Sequence, residues 1–142
     1  MNDAREMGEQ SNGSPAAAGT VDVRLRGGPE AASLARRAIA RLREDIDEPL
    51  METMRLLVTE LVSNSVKHSG SDTVGLKVAV ANSAVVVEVT DQGPGFKPRP
   101  RPRNSSVDDG WGLFLVERLA HRWGVARDGP STRVWFELRR TP

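Results

Sequence analysis

The chain has 142 residues, 38% hydrophobic and 27% charged, which suits one soluble globular domain with a single core and leaves no room for two catalytic domains of ordinary size. Its 20 Lys and Arg against 19 Asp and Glu give a net charge of +1, so no global field steers it to nucleic acid or to a membrane surface. With no Cys and only two His, disulfides, thiolate zinc sites and cysteine nucleophiles are excluded, and most histidine metal sites are disfavoured.

Residues 1–20 are rich in Gly, Ser, Ala and Asn without apolar periodicity, and are expected to form a disordered tail ahead of a domain over 21–142. Val21-Asp22-Val23-Arg24-Leu25 alternates apolar and polar residues as a half-buried strand does, and Gly27-Gly28 closes it. Pro29 suits the first position of a helix whose apolar stripe is Ala31, Leu34, Ala35, Ala38, Ile39 and Leu42. Asp47-Glu48-Pro49 predicts a second helix, carried by Leu50, Met54, Leu57, Val58 and Leu61 to about Ser69 and stopped at Gly70. Two strands follow, Thr73–Ala81 and Ala84–Thr90, joined by the short turn Asn82-Ser83. Asp91 through Asp109 is expected to be a long loop, since Pro98-x-Pro100-x-Pro102 permits no regular element. Leu113, Leu115, Val116 and Leu119 mark a third helix beginning near Gly110–Gly112, Trp123–Val125 leads out of it, and Arg133–Leu138 is a last strand. No apolar run approaches the roughly 20 residues that span a bilayer, and MNDAREMGEQ lacks the apolar stretch of a secretory signal, so a cytoplasmic protein is expected. The order predicts an α+β fold: a two-layer α/β sandwich with helices on one face of a mixed, mostly antiparallel sheet.

Three segments carry chemistry. In Glu60-Leu61-Val62-Ser63-Asn64-Ser65-Val66-Lys67-His68, Glu60 and Asn64 stand about 40° apart on the helix with Lys67 on the same side. A carboxylate that takes a proton, an amide oxygen that ligates a hard cation and an ammonium that neutralises phosphate thus share a face; a solvated helix face has the same pattern. In Asp91-Gln92-Gly93-Pro94-Gly95-Phe96 an Asp at a strand end can accept from an exocyclic amine, and the glycines let backbone approach a ligand; a plain Gly-Pro turn is the bland alternative. Gly110-Trp111-Gly112-Leu113 opens a helix whose free N–H groups and dipole favour an anion, or is a glycine-rich cap.

In this order and spacing the three segments resemble the N, G1 and G2 boxes of the Bergerat-fold (GHKL) ATPase superfamily, over roughly residues 20–140. ELVSNSVKH, DQGPGF, GWGLFLVERLAHRWGV and VWFEL, in a chain where no phosphoacceptor or transducer segment is recognisable, resemble the anti-sigma-factor serine kinases of RsbW and SpoIIAB type in their actinobacterial form. The resemblance implies a Mg²⁺- and ATP-dependent protein serine/threonine kinase that phosphorylates an anti-anti-sigma (STAS-type) partner or binds a sigma factor, often as a homodimer. It assigns Glu60 as general base, Asn64 as Mg²⁺ ligand and Lys67 as phosphate contact. It makes Asp91 the adenine acceptor, Gly93 and Gly95 the shapers of the base pocket, and Gly110, Trp111, Gly112 and Leu113 the turn over the phosphates. Phe96–Asp109 would be the ATP lid. Two departures stand out: Ser65 follows Asn64 where Ala is commoner, and aligning on Val134-Trp135 puts Arg133 where a Thr usually helps bind the base, which leaves Thr132 as the candidate.

Other readings remain open. One is a non-catalytic, ATP-responsive binding module that sequesters a sigma factor or another regulator. The basic run Lys97, Arg99, Arg101, Arg103 either serves the phosphates or an acidic partner, or is a solubilising loop; direct nucleic-acid binding is disfavoured by the absence of interleaved aromatics. His68, at a helix end, and His121, Trp123 and Trp135 are expected to be structural.

Overall fold

The computed structural model describes residues 19–69, 72–91 and 111–140. Within them five strands, β1 (Gly19–Arg26), β2 (Thr73–Val80), β3 (Ala84–Asp91), β4 (Arg122–Asp128) and β5 (Ser131–Arg139), form one sheet in the order β1-β2-β3-β5-β4. All four pairings are antiparallel. Among the described residues three α-helices, α1 (Ala31–Ile39, continued by a 3₁₀ turn at Ala40–Leu42), α2 (Glu48–Ser69) and α3 (Trp111–Leu119), complete the α+β fold.

The two-residue period of the strands decides what each face does. Val21 and Leu25, Val74 through Val80 in alternation, Val85, Val87, Val89, Val134, Phe136 and Leu138 all point to one side and are buried. Ala35, Ile39, Met54, Leu57, Val58, Leu61 and Val116 from the helices close the same core. The other side carries Asp22, Arg24, Lys77, Glu88 and Arg133. Helix α2 starts where the sequence places it, because the Asp47 carboxylate accepts the Leu50 N–H at 2.9 Å and so caps the first turn.

The boundaries shift where pairing, rather than periodicity, sets them. Strand β1 begins at Gly19, two residues inside the stretch expected to be a tail, because Gly19 and Thr20 pair with Val80 and Ala79. Strand β3 includes Asp91, expected to open the loop, because its backbone is held between Val74 and Thr132. The segment around Trp123–Val125 is a full strand paired along β5. Its register needs Gly124: a Cβ there would lie 2.7 Å from the Trp135 indole nitrogen. Gly129, with φ of 63°, supplies the left-handed first position of the two-residue turn joining β4 to β5.

Arg140 fastens the end of the sheet opposite Asp91. Its guanidinium donates to the Ala81 carbonyl at 2.6 Å and to the Asp45 carbonyl at 2.5 Å, and its N–H donates to Ser83 O at 2.9 Å. Arg140→Ala leaves the backbone bond but removes both charged ones; with partial exposure discounted, the expected loss is about 1–2 kcal/mol. It is read as a lower urea midpoint at unchanged m-value.

Candidate functional site

A core built from aliphatic strands excludes polar side chains unless something holds them there. Among the described residues four are buried and polar: Asn64, Ser65, Asp91 and Thr132, each no more than 5% exposed. They belong to one place. Asp91 ends β3 on its core face, Thr132 stands opposite it in β5, and the Ser65 hydroxyl from α2 lies 3.5 Å from Asp91 Oδ2. Helix α2 packs on β3, so the turn bearing Asn64 and Ser65 lies against the strand end.

Each predicted residue can now be placed. Asn64 is buried, and its Nδ2 has no hydrogen-bond partner among the described residues. An orphaned amide of this kind costs roughly 1–3 kcal/mol, which a ligand or its hydration would offset. Glu60, one turn earlier, is half-buried, and Lys67 is exposed, its ammonium able to reach outward from the same helix face. Leu113 is half-buried in the first turn of α3, which packs against α2 and also contains Trp111 and Gly112. Gly93, Gly95, Gly110 and the lid expected over 96–109 lie outside the described residues, as does the basic run from Lys97 to Arg103.

The register decides between Thr132 and Arg133. Thr132 faces the core directly across from Asp91, whereas Arg133 faces outward and sits 3.8 Å from Glu88. Ser65, in the sequence only a departure from a commoner Ala, proves to place its hydroxyl 3.5 Å from Asp91 Oδ2; the available signal was its position four residues after Leu61 on the buried stripe of α2. His121 accepts from Arg139 Nη2 at 2.8 Å on its Nε2, an exposed link at the sheet edge rather than part of the site.

Chemically the cluster offers a buried carboxylate and a hydroxyl for an amine-bearing ring, an amide oxygen for a hard cation, and a carboxylate and an ammonium at its margin. No group of three or more His, Cys, Asp or Glu able to hold a metal occurs among the described residues. The Asn64 side-chain oxygen is of a kind that could hold a hard cation together with ligand phosphates. No described helix is long and apolar enough to cross a membrane.

Comparison with known proteins gives four findings. The family model described as the histidine kinase-like ATPase domain matches residues 25–138. The sensor protein BceS of Halalkalibacterium halodurans is 33% identical over 79 residues, 47% of this chain and 24% of that protein. The sensor histidine kinase NarS of Mycobacterium tuberculosis is 35% identical over 69 residues, 46% of this chain and 16% of that protein. The matches thus span a quarter or less of these relatives' length. Among solved structures, the crystal structure of the RsbU and RsbW domains of Rv1364c from Mycobacterium tuberculosis superposes with a TM-score of 0.68 at 19% identity, covering 88% of this chain and 34% of that one.

Proposed function

We propose, from the premise that this chain belongs to the histidine kinase-like ATPase domain family, that it is an ATP- and Mg²⁺-dependent protein serine kinase of the anti-sigma-factor type. Its substrate in this reading is a serine on an anti-anti-sigma (STAS-type) partner, and by phosphorylating it the kinase regulates transcription through partner switching with a sigma factor. The observation that carries the proposal is the gathering of Asn64, Ser65, Asp91 and Thr132 at one end of an otherwise apolar core. The RsbW-containing fold neighbour and the N, G1 and G2 segments support the choice of subclass.

Asp91 accepts the exocyclic amine of adenine, with the Ser65 and Thr132 hydroxyls on either side of it. Asn64 is the protein ligand for Mg²⁺, which, when bound, neutralises charge on the phosphates. Lys67 faces the phosphates, and the first turn of α3 (Trp111, Gly112 and Leu113, with Gly110 before it) presents N–H groups to them. Glu60 orients the partner's serine and accepts its proton as the new bond to the γ-phosphorus forms and the bond to the β-phosphate bridge breaks, releasing ADP. Gly93, Gly95 and the lid complete the pocket, and the active unit is a homodimer.

The test is a melting curve with and without Mg·ATP, followed by incubation with γ-labelled ATP and a STAS-type protein. Stabilisation together with label on a partner serine is expected. Stabilisation without label would leave an ATP-responsive binding module, and no stabilisation would overturn the nucleotide assignment itself.

A further inference from the structure

The face of the sheet turned away from the helices is hollowed rather than flat. In one cross-strand row Gly75 and Thr90 stand between Arg24 of β1 and Arg133 of β5. The two small residues leave a gap between the long side chains, a depression of about 510 Å³ also lined by Thr73, Lys77 and Ser131. A second depression of about 270 Å³ adjoins it, sharing Asp22, Lys77 and Glu88 and floored by Thr20, Ala79 and Val86. Val86 is 39% exposed there, an apolar side chain beside the charged row of Asp22, Lys77 and Glu88. The rows of Gly75 and Ala79 lie four residues apart, about 13 Å along the strands.

The charges along this groove are unequally answered. Glu88 lies 3.8 Å from Arg133, and Asp22 stands in register with Lys77. Arg24, at the margin of the Gly75 gap, has no ion-pair partner among the described residues, so with Arg133 answered by Glu88 and Lys77 by Asp22 that end of the groove keeps one unanswered positive charge. The groove is cationic and hydroxyl-lined at one end and apolar at the other, over the length of an extended tetrapeptide.

We propose that this groove docks an extended acidic segment of a protein partner, with carboxylates seated between Arg24 and Arg133 over Gly75 and an apolar side chain against Ala79 and Val86. The length and the apolar end select a peptide over a simple anion, since an ion would use only the Gly75 gap. The surface lies on the opposite side of the sheet from Asp91 and does not depend on the nucleotide assignment.

The probe is a fluorescein-labelled decapeptide carrying three consecutive Glu followed by Val and Leu, titrated against the full chain by anisotropy. Gly75→Val fills the gap without backbone conflict, because a Cβ there meets Thr90 at 3.7 and 3.8 Å, ordinary contact distances in a position that favours β-branched residues. Saturable binding is expected, weakened roughly tenfold or more by Gly75→Val and by Arg24→Glu, with the Mg·ATP melting shift unchanged in both. That unchanged shift separates failure of the groove from failure of the nucleotide site. The proposal is overturned by absent binding, by wild-type affinity in either variant, by equal binding of a peptide with Lys in place of Glu, or by competition from inorganic phosphate alone at equal strength.

Discussion

Asp91→Asn is expected to fold yet lose most of the stabilisation that Mg·ATP confers on the wild-type chain. Asn keeps the volume of the side chain and an oxygen within reach of the Ser65 hydroxyl, so the 3.5 Å contact and the packing at the end of β3 persist. What changes is toward the ligand, where an amide NH₂ replaces an acceptor and faces the donor it was meant to receive. Loss of a hydrogen bond to a charged group together with that mismatch is worth about 2.7 kcal/mol, near the top of the ordinary range, or a roughly 100-fold weaker Kd. With nucleotide at about 100 times the wild-type Kd, the stabilisation falls from about 2.7 to about 0.4 kcal/mol. Differential scanning fluorimetry reads this directly as a collapse of the melting shift. A variant shifted as far as wild type would remove Asp91 from base recognition.

Glu60→Gln should separate binding from chemistry. Glu60 is half-buried, and Gln preserves its length, so neither fold nor nucleotide-dependent stabilisation should change appreciably. The amide takes no proton. If Glu60 is the base that receives the serine proton, label transfer from γ-labelled ATP to the STAS-type partner should fall by about 10²–10⁴-fold. Quantifying phosphoserine on the partner under single-turnover conditions distinguishes this from slow product release. Transfer at the wild-type rate would assign the proton to another acceptor.

The fold was legible wherever one face of an element was apolar. The alternation in Val21–Leu25, the long stripe of α2 and the β-branched run of β3 each predicted an element that the structure contains. Ends were less legible, because Gly19, Thr20 and Asp91 join strands through backbone pairing that no side-chain pattern announces. At the site, helical spacing brought Glu60 and Asn64 together on paper, and the strand end marked Asp91. The choice between Thr132 and Arg133 was different in kind: adjacent residues on a strand face opposite ways, Thr132 shares its side with Val134, Phe136 and Leu138, and the pairing Asp91↔Thr132 states that it meets the carboxylate. Ser65 was hidden for a related reason, since its contact is made across 26 positions of chain. The hollow at Gly75 depends on which residues of β1 and β5 flank it, and strand order is not written in any local segment.

The alternation of β5 also fixes what kinds of inherited change the β4–β5 hairpin can absorb. Replacing an outward residue there alters the surface, but inserting or deleting one residue between Gly129 and Thr132 would rotate the remainder of the strand by half a turn. A deletion would drive Arg133 toward the Asp91 carboxylate, and either change would expel Phe136 and Leu138 into water, so hairpin length, more than residue identity, should be the invariant by which divergent members of this lineage are aligned.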